Sequence, residues 1–96
     1  MAPNKYANGV LPSIYYEILD ELDAIVTEVL IDGENKYPLE NNYEADKNRI
    51  LNRTDHIPHA KEHLRLLEEG DTSDPHLEHL LCRIALHAVA KRKGII

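Results

Sequence analysis

At 96 residues the chain has room for one domain, and its five tyrosines, with no Phe or Trp, leave the core to aliphatic side chains. The formal net charge of −6 excludes general nucleic-acid binding, which needs a basic footprint, but not a small anion held by local cations and helix N-termini. A single cysteine, Cys82, excludes an internal disulfide and suits a reducing compartment, and "MAPNKYANGVLPS" contains no apolar signal core, so a cytoplasmic protein without a membrane partner is expected.

The expected fold is all-α, one domain over 1–96 with three main helices. An extended segment, 1–12, comes first. Ser13, after Pro12, is the expected N-cap of a helix over 13–32, "IYYEILDELDAIVTEVLI". Ile14, Ile18, Leu22, Ile25 and Val29 share one of its faces, widened by Leu19, Val26 and Leu30. Gly33 is the natural stop. A polar connecting segment, 33–53, follows, with one proline and many asparagines; it has space for a short helix around Tyr43 to Leu51. The second helix, 55–69, takes Thr54 or Asp55 as cap, tolerates Pro58 in its first turn and ends at Gly70. The third, 74–92, has Asp74 as cap and Pro75 at its first position, and finishes in "AKRKG", cations then glycine. The short link makes these last two an antiparallel hairpin. A chain with so few large aromatics has little to bury, so a homo-oligomer is expected.

The third helix carries two stripes. Leu77, Leu80, Leu81, Ile84 and Ala88 read as the core face. His76, His79, Arg83 and His87, at spacings of three, four and four, form a second stripe beside it. In the second helix Ala60, Leu64 and Leu67 read as core, with His59 and His63 beside them. Both polar stripes lie on the same rotational flank, so an antiparallel pair brings them to one side. The register expected from that pairing sets His59 and His63 opposite Arg83 and His87, with His76 and His79 nearer the turn.

Such a stripe has three uses. Imidazole and guanidinium donors, with the N-terminus of the third helix, suit phosphate oxygens. Histidines one turn apart suit a metal ion, with Asp71 or Asp74 completing a divalent site. The bland use is a solvated or intersubunit face without chemistry. On the first helix Glu17 and Glu21 stand one turn apart and would hold Mg²⁺ with waters, although acidic surface helices are common. There is no glycine-rich phosphate loop, no nucleophile motif and no CxxC. "TDHIPH" contains Asp55-His56, the reverse of the His-Asp order used by one class of metal phosphohydrolases.

Two segments carry a resemblance. "EVLIDGENKYPLENNY" (28–43) is similar to the V-L-x-x-G-x-K-K-Y…N-W segment of a phage and prophage family described as dATP/dGTP diphosphohydrolase-like. "HAKEHLRLLEEGDTSDPHLEHLLCRIALH" (59–87) resembles its R-H-L…G-E/D-x-x-D…H-L-x-H-A segment. Gly33, Lys36 and Tyr37 match the first; Asn42 matches after a one-residue insertion, and Tyr43 replaces the tryptophan. His63, Gly70, Asp71, Asp74, His76 and His79 match the second, with Glu62 where arginine is usual. The resemblance implies a small helical protein handling purine nucleotides, in a host cytoplasm if phage-encoded.

The leading expectation is a protein that binds phosphorylated purine nucleotides and sequesters nucleotide signals of host defence. Its expected site is Lys36, Tyr37, Asn42, His59, His63, His76, His79 and Arg83, with no cofactor needed for binding. The alternatives are a (d)NTP diphosphohydrolase using Mg²⁺ or another divalent metal, and a non-catalytic protein-interaction module.

Overall fold

A computed structural model describes residues 10–96, and most of the extended segment expected over 1–12 lies outside them. The described chain is all-helical, in the order α1 (Ser13–Lys36), α2 (Tyr43–Ile50), α3 (His56–Glu68) and α4 (His76–Arg92). No helix among the described residues is long and apolar enough to cross a membrane.

Helix α1 runs through Gly33 instead of stopping there. A helical glycine costs about 1 kcal/mol relative to alanine, which the turns on either side offset. Lys36 pairs with Asp32 at 3.0 Å across the last turn. The stop is Pro38, whose ring disfavours helical geometry at the residue before it. Tyr37 accordingly swings to φ −137°, ψ 74°. At the other end the N-cap is Pro12, with Ser13 as the first helical residue and no side-chain cap.

The polar connection is more ordered than its composition suggests. Asn41 takes φ 59°, a left-handed turn that asparagine tolerates. Asn42 then caps α2, its side chain accepting from Ala45 N at 3.2 Å. Asp46 reaches back to accept from the Glu40 and Asn42 amides at 2.9 and 3.1 Å. Arg49 ties α2 to the end of α1, donating to the Pro38 and Tyr37 carbonyls at 2.8 and 3.0 Å.

Helices α3 and α4 form the expected antiparallel hairpin. His63 meets His76 and, further up α3, His56 meets Arg83. Gly70 (φ 80°) ends α3 in a Schellman motif, with Gly70 N bonded to Leu67 O and Asp71 N to Leu66 O. Gly94 (φ 71°) closes α4 in the same way. Asp55 stands at the N-cap of α3 as expected but makes no side-chain cap, and Asp74 is not the cap of α4. The Asp55 carboxylate is taken by Arg53, and α4 starts after Pro75 with no side-chain cap.

The stripes divide differently from the expectation: Ala60 is buried and Leu80 and Leu81 are partly covered as expected, but much of the polar stripe also enters the seam. His76 and Cys82 are buried in the hairpin seam, with His79, Arg83 and Leu86 partly covered, and α3 contributes His56, Ala60 and His63. Ala60 is buried, and its small side chain lets the helices approach. On the expected core face Leu77 and Ile84 are 56% and 43% exposed, and Leu64 and Leu67 are also exposed. Helix α1 packs on α4, but only Ile25, Val26 and Val29 of its expected apolar face are partly covered; Ile14, Ile18, Leu19 and Leu22 are exposed. A single chain is too small to cover the overhanging first half of α1.

Candidate functional site

A cavity of about 760 Å³ opens between the second half of α1, the α2 helix and the hairpin, within the range of small-molecule sites. Helix α1 supplies its apolar wall with Val29, Leu30 and Ile31, and Leu86 of α4 adds to it. The cationic wall is Lys36, Arg49, Arg53 and Arg83. Two carboxylates line the same space, Asp32 and Glu34. Asp32 is held by Lys36 at 3.0 Å, and Glu34 accepts from the Leu39 amide at 3.0 and 3.2 Å. A protein with net charge −6 thus gathers an excess of positive charge around one recess.

The four cations are not equally available. Arg49 is spent on two backbone carbonyls. Arg53 grips Asp55 with two nitrogens, one at 2.7 Å, and this pair holds the Asp55 carboxyl down to about 2. Arg83 differs. It is partly buried, its Nη1 lies 3.2 Å from His56 Nδ1, and no carboxylate is within ion-pair distance among the described residues. Burial, followed by the nearby Arg53 charge, pulls its guanidinium below the ordinary arginine value. An anion would offset both effects.

His56 explains how Arg83 is held. Its ring is 1% exposed, and Nε2 lies 2.6 Å from the Ile50 carbonyl. A carbonyl only accepts and a guanidinium only donates, so His56 must be neutral, with its proton on Nε2 and its Nδ1 lone pair towards Arg83. Burial pushes its pKa down and favours that form.

Of the expected site residues, Lys36, Tyr37, His79 and Arg83 line the cavity together. Asn42 does not; its side chain is the α2 cap. His59 is exposed and leans on Asp55 at 3.4 Å. His63 and His76 lie in the seam beside the cavity, with the His63 ring centroid 5.1 Å from that of His79.

The expected register is displaced by about two turns, because His63 faces His76 while Arg83 faces His56. The link between the helices runs back along α3 and starts α4 beside His63, as the Asp71 carboxylate contact with His76 Nε2 at 2.9 Å requires. His87 is partly covered and is not among the cavity-lining residues.

No family model, curated protein or solved structure matches this chain. The residues themselves therefore carry the functional reading. Arg49, Arg53 and His56 are the cavity residues that the stripe pattern misses. His56 had a visible signal, since His56, Ala60 and His63 share one face at spacings of four and three. Arg49 and Arg53 had none: Arg49 is placed by its contacts with backbone carbonyls and Arg53 by its pair with Asp55, and neither leaves a periodic trace.

Proposed function

We propose that the chain binds a small phosphorylated ligand in the α1–α2–hairpin cavity, with Arg83 as the central anion contact. The observation that carries this reading is a partly buried guanidinium in a cavity wall, held by a neutral histidine and lacking a carboxylate partner among the described residues. Lys36, paired with Asp32 at 3.0 Å, stands in the same wall, and Tyr37 adds an exposed aromatic face at the rim. The apolar wall of α1 suits a base or another flat, weakly polar group. The choice of a purine nucleotide rests on the resemblance of 28–43 and 59–87.

Retention fits the site better than cleavage. Both carboxylates in the wall are engaged, and Glu17 and Glu21 lie on the exposed first half of α1, before Thr27, where the cavity lining begins. Phosphoryl transfer needs its developing charge neutralised, and among the described residues the cavity offers no free acid pair to hold Mg²⁺. A protein of this kind acts as a sponge, which suits the removal of nucleotide signals used in bacterial defence. We also take the chain to self-associate through the exposed apolar residues of α1 and α4.

Calorimetry against linear and cyclic purine nucleotides tests the reading, with Arg83→Met as the control variant. Wild type is expected to bind. The variant should lose about tenfold to a hundredfold in affinity, the worth of a charge-assisted contact of about 1.5–3 kcal/mol. Equal affinities for the two proteins would remove Arg83 from the site. Mass spectrometry of the nucleotide before and after incubation separates retention from hydrolysis.

A further inference from the structure

The hairpin seam holds a second cluster that the anion site does not use. His63 Nδ1 and His76 Nδ1 lie 2.9 Å apart, with the rings inclined at 45°. The ligand atoms of His63, Asp74 and His76 all lie within 4.8 Å of one another. Three elements supply them: His63 from α3, Asp74 from the link and His76 from the start of α4.

The surroundings of His76 fix its chemistry. The residue is 4% exposed, and its Nε2 lies 2.9 Å from Asp71 Oδ1. The Ser73 amide also donates to that oxygen at 2.9 Å, and the Ser73 hydroxyl bonds to it as well. A carboxylate oxygen accepts, so His76 Nε2 carries a proton and donates it to Asp71, which leaves Nδ1 as the nitrogen that faces His63. A carboxylate that orients a histidine through its remote nitrogen is the usual outer partner of a metal-bound imidazole.

We propose that His63, His76 and Asp74 bind one divalent transition-metal ion of the Zn²⁺ type, with Asp71 as the orienting partner of His76. Two imidazole nitrogens about 2.1 Å from an ion and roughly at right angles are about 3 Å apart; tetrahedral geometry widens that edge by about 0.4 Å. The observed 2.9 Å matches the first and is about 0.5 Å short of the second. Asp74 is exposed, so its carboxylate closes the remaining distance by a side-chain rotation. Two imidazoles and one carboxylate favour Zn²⁺, Co²⁺ or Ni²⁺ over Mg²⁺, which prefers oxygen.

One proton lies between His63 Nδ1 and His76 Nδ1 in the metal-free hairpin. On binding, the ion takes that place and the displaced proton passes to a remote ring nitrogen or to solvent; no electron moves. The ion would fasten the start of α4 to the middle of α3, next to His79 and the end of the cavity.

The test uses the full chain stripped with a chelator, without nucleotide, so it is independent of the anion site. Zn²⁺ is titrated by calorimetry, and Co²⁺ is followed through its visible absorption bands. Wild type is expected to take one ion per chain. Asp74→Asn, at an exposed position, and His63→Gln should each lower the affinity by at least about tenfold, and Asp71→Asn by about ten- to a hundredfold. His59→Gln should leave binding intact. Circular dichroism checks that each variant is folded; should His63→Gln fail to fold, Asp74→Asn decides. No uptake by wild type, wild-type affinity in Asp74→Asn, or loss of binding in His59→Gln would each overturn the site.

Discussion

Arg83 donates to His56 Nδ1 at 3.2 Å, and this contact exists only while His56 is neutral. Protonation would place an N–H against a guanidinium, beside the positive charge of Arg53. Burial and those two cations already lower the His56 pKa from its ordinary value of 6.5, against the opposing pull of the Ile50 carbonyl and Asp55. The unfolded chain therefore binds this proton more readily than the folded one. Stability is full above about 6.5 and declines as pH falls below it, towards the folded value. Denaturant midpoints measured with chelator between about pH 8 and 5 should show that decline, and His56→Gln should flatten it. Some slope remains in the variant, because burial and the neighbouring His79 and His76 lower His63 in the same direction. An unchanged slope in His56→Gln would remove His56 from the pH response.

Asn42 is expected to matter for folding and not for the ligand. Its side chain caps α2, so Asn42→Ala should cost about 1 kcal/mol in denaturant unfolding. The same variant should bind the anion with wild-type affinity, as long as the measurement is made where the protein is fully folded. A selective loss of affinity at unchanged stability would return Asn42 to the site.

Gly33 separates two readings of α1. A glycine that terminates the helix would resist replacement, whereas one inside it gains from a side chain. A Cβ at Gly33 meets nothing within 4 Å. Gly33→Ala should therefore stabilise the chain by about 0.5–1 kcal/mol, read as a higher denaturant midpoint.

The fold class was legible because periodicity and punctuation agree over α3 and α4. Pro58, Gly70 and Gly94 stand where helix starts and stops expect them, and Pro75 lies one position outside α4, at its N-cap. The helix end near Gly33 was misplaced because Pro38 is the stronger stop and the Asp32–Lys36 pair carries the helix on to it. The faces of the hairpin were misassigned for a different reason. Hydrophobicity alone puts leucines inside, yet each seam imidazole that is buried has a partner: Ile50 O and Arg83 for His56, Asp71 and His63 for His76. Satisfied polar groups can occupy a seam at little cost. Within the expected site, Lys36, Tyr37, His79 and Arg83 come together because α1 crosses the hairpin; nothing in the local spacing of Asn42 or His59 reports that they fall outside.

The proposal of self-association rests on exposed leucines and isoleucines. Burying a leucine or isoleucine side chain contributes roughly 1.5–3 kcal/mol, and Ile14, Ile18, Leu19, Leu77 and Ile84 are each at least 43% exposed. Sedimentation velocity across a dilution series should show a species larger than the 11.0 kDa chain. Leu19→Lys and Leu77→Lys should each shift the distribution towards monomer. A wild-type protein that sediments as a monomer at every concentration would contradict the expectation.

The lone thiol of Cys82 offers a clock for events inside the molecule. It is 4% exposed, lies against the cavity beside Arg83, and is kept protonated by its burial. A thiol-reactive dye reaches it through that recess or as the helices part. Its labelling rate therefore reports access to the recess, and any occupant that slows the dye reveals itself without being named in advance.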